Sequence, residues 1–226
     1  MPPALRPVPS RPRAVLFDLD GTLVDTAPDL GHAANQVRAE AGLPPLPVAE
    51  YRPVASAGAR GLLKVAFGIE PDHVDFAARR ERFLAHYRAG LSRESRPFPG
   101  IEAALAAFES AGIAWGIVTN KPQWLTEPLL EDLGLARRSA VTLGAQNGLK
   151  PKPAPDALLR ACAALGLAAA DCVYVGDDLR DVAAARAAGM PVVAAAWGYV
   201  GHGEPVERWD ADAILREPRD LLGLLA

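Results

Sequence analysis

The chain has 226 residues, half of them hydrophobic and 23% charged, which supplies a sizeable core for one or two domains. A balance of 24 basic against 27 acidic side chains, net charge −3, argues against nucleic acid or an anionic membrane as the main partner. The apolar runs, Val192–Trp197 among the longest, are too short to span a bilayer, and the composition is too apolar for a disordered chain.

Residues 1–13 carry Pro2, Pro3, Pro7, Pro9 and Pro12 with Arg6, Arg11 and Arg13. Without the apolar stretch of a secretory signal they read as a frayed, polyproline-like lead-in, and the expected location is the cytoplasm. Ala14–Asp18 is a short apolar run ending in an acid, as a buried parallel strand does. From Thr26 to about Pro97 the periodicity is helical and no convincing strand is found. Thr26 and Asp29 open the first helix with a capping-box-like pair, and Gly42, Pro44, Pro45 and Pro47 end it. Further helices are expected over 48–55, 59–67 and 72–89, with a hinge at 96–100.

A strand–helix alternation then resumes. Strands are expected at Ala114–Thr119, Ala140–Leu143, Cys172–Val175 and Val192–Ala195, and helices at Ile101–Ala111, Leu125–Leu133, Asp156–Leu165 and Leu179–Ala188. This spacing implies an α/β fold, a doubly wound parallel sheet covered on both faces, with a small helical cap inserted after the first strand. The expected division is a lead-in over 1–13, a core over 14–25 and 98–226, and a cap over 26–97. Cys162 and Cys172 are too few for a disulfide framework and fit small buried side chains in a reducing compartment. None of His32, His73, His86 and His202 forms a pair with metal-ligand spacing. Trp115, Trp124 and Tyr199 are assigned to the core.

In an open parallel sheet, ligands bind at the carboxyl ends of the strands. Reading past the strands gives Asp18-Leu19-Asp20-Gly21-Thr22, then Thr119-Asn120-Lys121, then Gly176-Asp177-Asp178. Two carboxylates two residues apart before a glycine turn can aim a side chain and a backbone carbonyl at one point, a hard-oxygen set suited to Mg²⁺; a solvated acidic turn is the plainer alternative. Thr119 and Asn120 offer a hydroxyl and an amide to phosphate oxygens, although Thr119 could instead cap the next helix. Lys150 and Lys152 each precede a proline on a loop, where an ammonium can neutralise a transferring phosphoryl group or simply face water. Asp178 and Asp181 suit a helix N-terminus, which leaves Asp177 unexplained by capping.

These four groups occur in the order of the four motifs of the haloacid dehalogenase-like hydrolase superfamily, which the chain resembles over nearly its whole length. That resemblance implies a Rossmann-like core, and the acid at position 20 resembles the superfamily's phosphatases, since the dehalogenases lack it. It further implies Asp18 as nucleophile forming an aspartyl-phosphate, and Asp20 as general acid and then base. Mg²⁺ would be held by Asp18, the Asp20 carbonyl and Asp177. Thr119, Asn120 and Lys152 would bind phosphoryl oxygens, with Asp178 and Asp181 behind them. Residues 18–30 look like the phosphoglycolate phosphatase group. Ser56–Arg60, Trp115–Pro122 and Gly176–Asp181 look like the related N-acetylmuramic acid 6-phosphate phosphatase of cell-wall recycling. Arg60 and Lys121 are the candidates for reading the rest of the substrate, Arg60 as a bidentate carboxylate clamp. The expected partner is a small phosphorylated metabolite; the oligomeric state is left open. A β-phosphoglucomutase-like phosphomutase and a non-catalytic regulator are the alternatives.

Overall fold

A computed structural model describes residues 8–9, 11–146, 148–201 and 203–225. Among the described residues eight strands are formed: β1 Ala14–Phe17, β2 Val24–Asp25, β3 Arg96–Pro97, β4 Ala114–Pro122, β5 Thr142–Ala145, β6 Cys172–Gly176, β7 Val192–Ala195 and β8 Ala213–Leu215. The helices are α1 Ala27–Glu40, α2 Val48–Tyr51, α3 Gly58–Phe67, α4 Phe76–Ala89, α5 Ile101–Ser110, α6 Gln123–Asp132, α7 Asp156–Leu165 and α8 Leu179–Ala188. Six strands make one parallel sheet in the order β5-β4-β1-β6-β7-β8.

Period-two alternation explains why these runs are apolar throughout. Val15 and Phe17 of β1 face one side with Trp115, Ile117, Val173 and Val175, against Leu105 and Phe108 of α5 and Leu129 of α6. Ala14 and Leu16 face the other with Cys172 and Tyr174, against Leu158 of α7 and Val182 of α8. Both faces are therefore buried, and alternation of polar and apolar residues is lost. Each fully buried Leu or Phe contributes about 1.5–3 kcal/mol relative to exposure. Among the described residues, no helix is long and apolar enough to cross a membrane.

The chain order predicted from the sequence is observed, with local differences. The expected strand at Ala140–Leu143 forms two residues later, at Thr142–Ala145. An unpredicted edge strand, Ala213–Leu215, is only partly buried and too short to carry a pattern. Arg96–Pro97, expected to be a hinge, pairs antiparallel with Val24–Asp25, so the segment between them leaves and rejoins the core through a two-stranded ribbon. Within it, the expected helix over 48–55 is one α-turn followed by a 3₁₀ segment over Arg52–Ala57. The capping box at Thr26 does not form. Its hydroxyl donates instead to Asp20 Oδ1 at 2.6 Å, while Asp29 accepts from Glu94 N, Ser95 N and Ser95 Oγ (3.1, 2.9 and 2.7 Å), tying α1 to the returning strand.

Residues 1–7 and 10 of the expected lead-in, and His202, lie outside the described residues. The described end of the lead-in is held rather than frayed, since Arg11 N donates to Leu224 O (2.9 Å) and Arg13 N to Asp171 O (2.8 Å). Trp115 and Tyr199 are buried as expected, but Trp124 is 47% exposed. It sits in the first turn of α6, where Arg88 of α4 lies over its ring and donates to its carbonyl. Cys162 and Cys172 are buried free thiols, as expected.

Candidate active site

β1 lies at the centre of the sheet, between β4 and β6, and the residues that follow β1 and β6 share one crevice with Thr119–Lys121, which lie within β4 because that strand runs three residues past its predicted end at Thr119. Asp18 leaves β1 with its N–H donating to Val175 O (2.9 Å). The chain then turns sharply at Gly21, whose φ is +90°; a Cβ there would lie 2.3 Å from Asp177 Oδ2, so only glycine lets the two segments approach. The turn delivers Thr22, whose hydroxyl donates to Asp177 Oδ1 at 2.7 Å.

Asp177, at the end of β6, is almost completely enclosed. Besides Thr22 it accepts from Tyr199 N and Ser56 Oγ, both at 2.9 Å. Ser56 Oγ also lies 3.3 Å from the Asp20 carbonyl, so one hydroxyl of the inserted helical layer spans two core oxygens. Burial, then the charges of Asp18 and Asp181, push Asp177 up to about 8.

Lys152 is buried, whereas Lys150 is exposed, so the two loop lysines part company. Asn120 clamps the Lys152 backbone from both sides, its carbonyl oxygen accepting from Lys152 N (2.8 Å) and its amide donating to Lys152 O (3.0 Å). The Asn120 side chain is thus committed to the lysine loop rather than offered to a phosphate. Lys152 Nζ reaches Asp181 Oδ1 (2.6 Å), Tyr174 Oη (2.7 Å), Val118 O (3.3 Å) and Asp18 Oδ1 (2.9 Å). The last is an ion pair without hydrogen-bond alignment, which leaves Asp18 Oδ1 buried and lacking a donor. Burial works against the ammonium, but Asp18 and Asp181 outweigh it and hold Lys152 above its ordinary value. For Asp181 burial wins over the pull of Lys152 and raises it to about 7.

Asp181 also accepts from Asp178 N (3.0 Å), while Asp178 Oδ1 accepts from Arg180 N (2.8 Å); the pair forms a true capping box on α8. Arg180 chelates Asp178 and reaches across to Ser56 O at 2.8 Å. Ser56 is therefore gripped at its carbonyl and its hydroxyl. Thr119 is buried and receives Lys121 N at 3.2 Å; Pro122, not Thr119, precedes α6. Lys121 is buried too, its Nζ donating to Asp20 Oδ1 (2.9 Å) and Tyr87 Oη (2.7 Å).

Ligand atoms of Asp18, Asp177 and Asp181 lie within 4.8 Å of one another. Three carboxylates so close repel, and the raised Asp177 reports a shortage of positive charge on its side. Hard oxygens in this arrangement fit a divalent cation such as Mg²⁺. Asp181 has an ammonium as its closest donor, Lys152 at 2.6 Å, whereas every donor to Asp177 is neutral, so Asp177 is the acid whose charge is left for a cation.

Ser56, Arg180, Tyr174 and Tyr199 were given no role by the sequence reading. Tyr199 carried a signal nevertheless: it follows β7 as the other site residues follow their strands, and its hydroxyl accepts from Thr26 N and Ala27 N at 2.8 Å.

The sequence model of the haloacid dehalogenase-like hydrolases matches residues 12–189. A phosphoglycolate phosphatase of Xanthomonas campestris pv. campestris is 49% identical over 93% of this chain and 95% of its own length. An N-acetylmuramic acid 6-phosphate phosphatase of Pseudomonas aeruginosa is 42% identical over 95% of each. A crystal structure described as a predicted phosphoglycolate phosphatase from Haemophilus somnus superposes with TM-score 0.83 at 28% identity, covering 96% of this chain and 99% of that one.

Proposed function

The chain belongs to the haloacid dehalogenase-like hydrolases, and from that premise we propose that it is a Mg²⁺-dependent phosphatase of small carboxylated phosphate monoesters. The observation that carries this reading is the meeting of Asp18, Asp177, Thr119 and the Lys152–Asp181 pair at the carboxyl edge of one sheet. Two substrates suit it, 2-phosphoglycolate and N-acetylmuramic acid 6-phosphate, each named for one of the relatives above. Residues 26–97 act as the cap over a core formed by 14–25 and 98–226.

Asp18, held at the crevice floor, attacks phosphorus; its O–P bond forms as the bond to the leaving oxygen breaks. Asp20 donates a proton to that oxygen, then takes one from the water that attacks the aspartyl-phosphate, freeing phosphate and restoring Asp18. Thr26 and Lys121 fix the Asp20 carboxylate for both steps. Thr119 and Lys152 receive phosphoryl oxygens, and Asn120, Asp181 and Tyr174 position Lys152. When bound by Asp18, Asp177 and the Asp20 carbonyl, Mg²⁺ supplies charge neutralisation for the dianionic phosphoryl group.

Phosphate release measured with Mg²⁺ and no bisphosphate activator tests the reading. Turnover of p-nitrophenyl phosphate that EDTA abolishes is expected, whereas dependence on a sugar bisphosphate identifies a phosphomutase and overturns it. A non-catalytic regulator would turn over nothing.

Thermal melts give an independent measure of the cation. Asp177 at about 8, against an ordinary 3.8, holds its proton more tightly folded than unfolded. The stability this gives is present below the ordinary value and drains as pH rises towards 8. Metal-free protein is therefore expected to melt at lower temperature at pH 8 than at pH 6. Mg²⁺ at a hundredfold excess over its Kd adds about 2.7 kcal/mol and raises the pH 8 Tm most. An unchanged Tm at pH 8 removes the cation from this site.

A further inference from the structure

The crevice above Asp18 opens into a cavity of about 410 Å³, lined by the core site on its floor and by α3 and α4 above. Cavities of this size enclose ligands of many atoms, far more than a two-carbon acid phosphate possesses. The wall is one face of α4: Phe76, Arg80, Phe83, Leu84 and Tyr87 follow one another at steps of four, three, one and three residues. Leu30 of α1 and Leu125 of α6 extend the same apolar surface.

Positive charge is distributed unevenly around this space. On the floor, Lys152 is committed to Asp18 and Asp181, and Lys121 to Asp20. Arg180 is chelated by Asp178 and bound to Ser56 O. Two lining guanidiniums remain, Arg60 in the first turn of α3 and Arg80 in the middle of the α4 face. Both are exposed, and among the described residues neither has an acidic partner or a hydrogen bond. Glu70, whose charge feels Arg60, is paired with Lys64 at 2.5 Å. A substrate carboxylate thus finds its free cations on the helical layer, not beside the phosphoryl group.

We infer that the leaving group is a carboxylated skeleton of sugar size with an apolar face, and that Arg80, seconded by Arg60, is the specificity-determining residue that binds its carboxylate. The apolar face lies on Phe76 and Leu84, the half-buried apolar side chains of that wall, and the Arg80 guanidinium on the same helix face receives the acid in bidentate fashion. The inference rests on the phosphatase reading above and narrows it to the larger of the two substrate types.

The test uses full-length, Mg²⁺-loaded enzyme with four probes: p-nitrophenyl phosphate, 2-phosphoglycolate, N-acetylmuramic acid 6-phosphate and N-acetylglucosamine 6-phosphate, which is the same sugar without the acid. The carboxylated sugar is expected to exceed both 2-phosphoglycolate and the uncharged sugar in kcat/KM by roughly 10-fold or more, the scale of one hydrogen bond to a charged group. Arg80→Ala is expected to cut the preference for the carboxylated over the uncharged sugar by a similar factor, acting on KM more than kcat, and Arg80→Lys to restore only part of it. A higher kcat/KM for 2-phosphoglycolate, or a sugar preference untouched by Arg80→Ala, overturns the inference while leaving the phosphatase intact. Failure of all four probes, p-nitrophenyl phosphate included, overturns the phosphatase reading and the inference with it.

Discussion

Asp18→Asn should retain the fold and lose turnover by ~10⁴-fold or more, the scale seen when a nucleophile is removed from an otherwise complete site. The amide has the shape of the carboxylate and nearly all of its packing, so β1, the Gly21 turn and the Asp18 N–H bond to Val175 O stay as they are. What disappears is the anionic oxygen that attacks phosphorus. The same change removes one of three crowded acids. Asp18 is the largest charge acting on Asp177 after burial itself, so its neutralisation lets the Asp177 carboxyl fall back from about 8. Metal-free Asp18→Asn is thus expected to melt no lower than the parent at pH 8, while its affinity for Mg²⁺ weakens. Single-turnover phosphate release and melts with and without Mg²⁺ measure both. Turnover comparable to the parent would show that phosphorus is attacked by some other group.

The parts of this site that were legible in the sequence are those set by strand ends. β6, β7, α7 and α8 are bounded by glycines, an N-cap acid and runs whose apolar character switches off abruptly. Once they are fixed, Asp18, Thr119 and Asp177 fall at the carboxyl edge by topology alone. Lys152 was legible as a loop residue, but its burial was not: that depends on Tyr174 and Asp181 being brought together by β6 and α8. Asn120 shows the converse failure. The strand runs on past it to Pro122, and an amide serves a backbone as well as a phosphate; here it closes a ring with Lys152. Ser56 was out of reach, since its partners are 36 and 121 residues away and its 3₁₀ setting has no periodic signal. The capping box expected at Thr26 fails for a local reason instead: the Asp20 carboxylate, six residues earlier, competed for the hydroxyl and won.

The second large effect belongs to Lys152→Met, which should cost about 3–5 kcal/mol of stability because it leaves buried carboxylates without their cation. Met fills the space of the aliphatic stem, so packing contributes little to the loss. Tyr174 still donates to Val118 O at 2.6 Å, and Asp181 still accepts from the Asp178 amide, so the loss is concentrated in the charge. Turnover should fall by about 10²–10³-fold as well, since a preorganised cation facing the transferring phosphoryl group disappears. The two losses separate in a double variant. Adding Asp181→Asn to Lys152→Met removes the charge that was stranded and should restore much of the stability in denaturant melts. It returns nothing to the phosphoryl group, so turnover should stay at the level of the single variant. A double variant as unstable as Lys152→Met would place the cost in packing rather than charge. Turnover within tenfold of the parent in the single variant would take Lys152 out of the phosphoryl site and leave it as a structural tie between β4, β6 and α8.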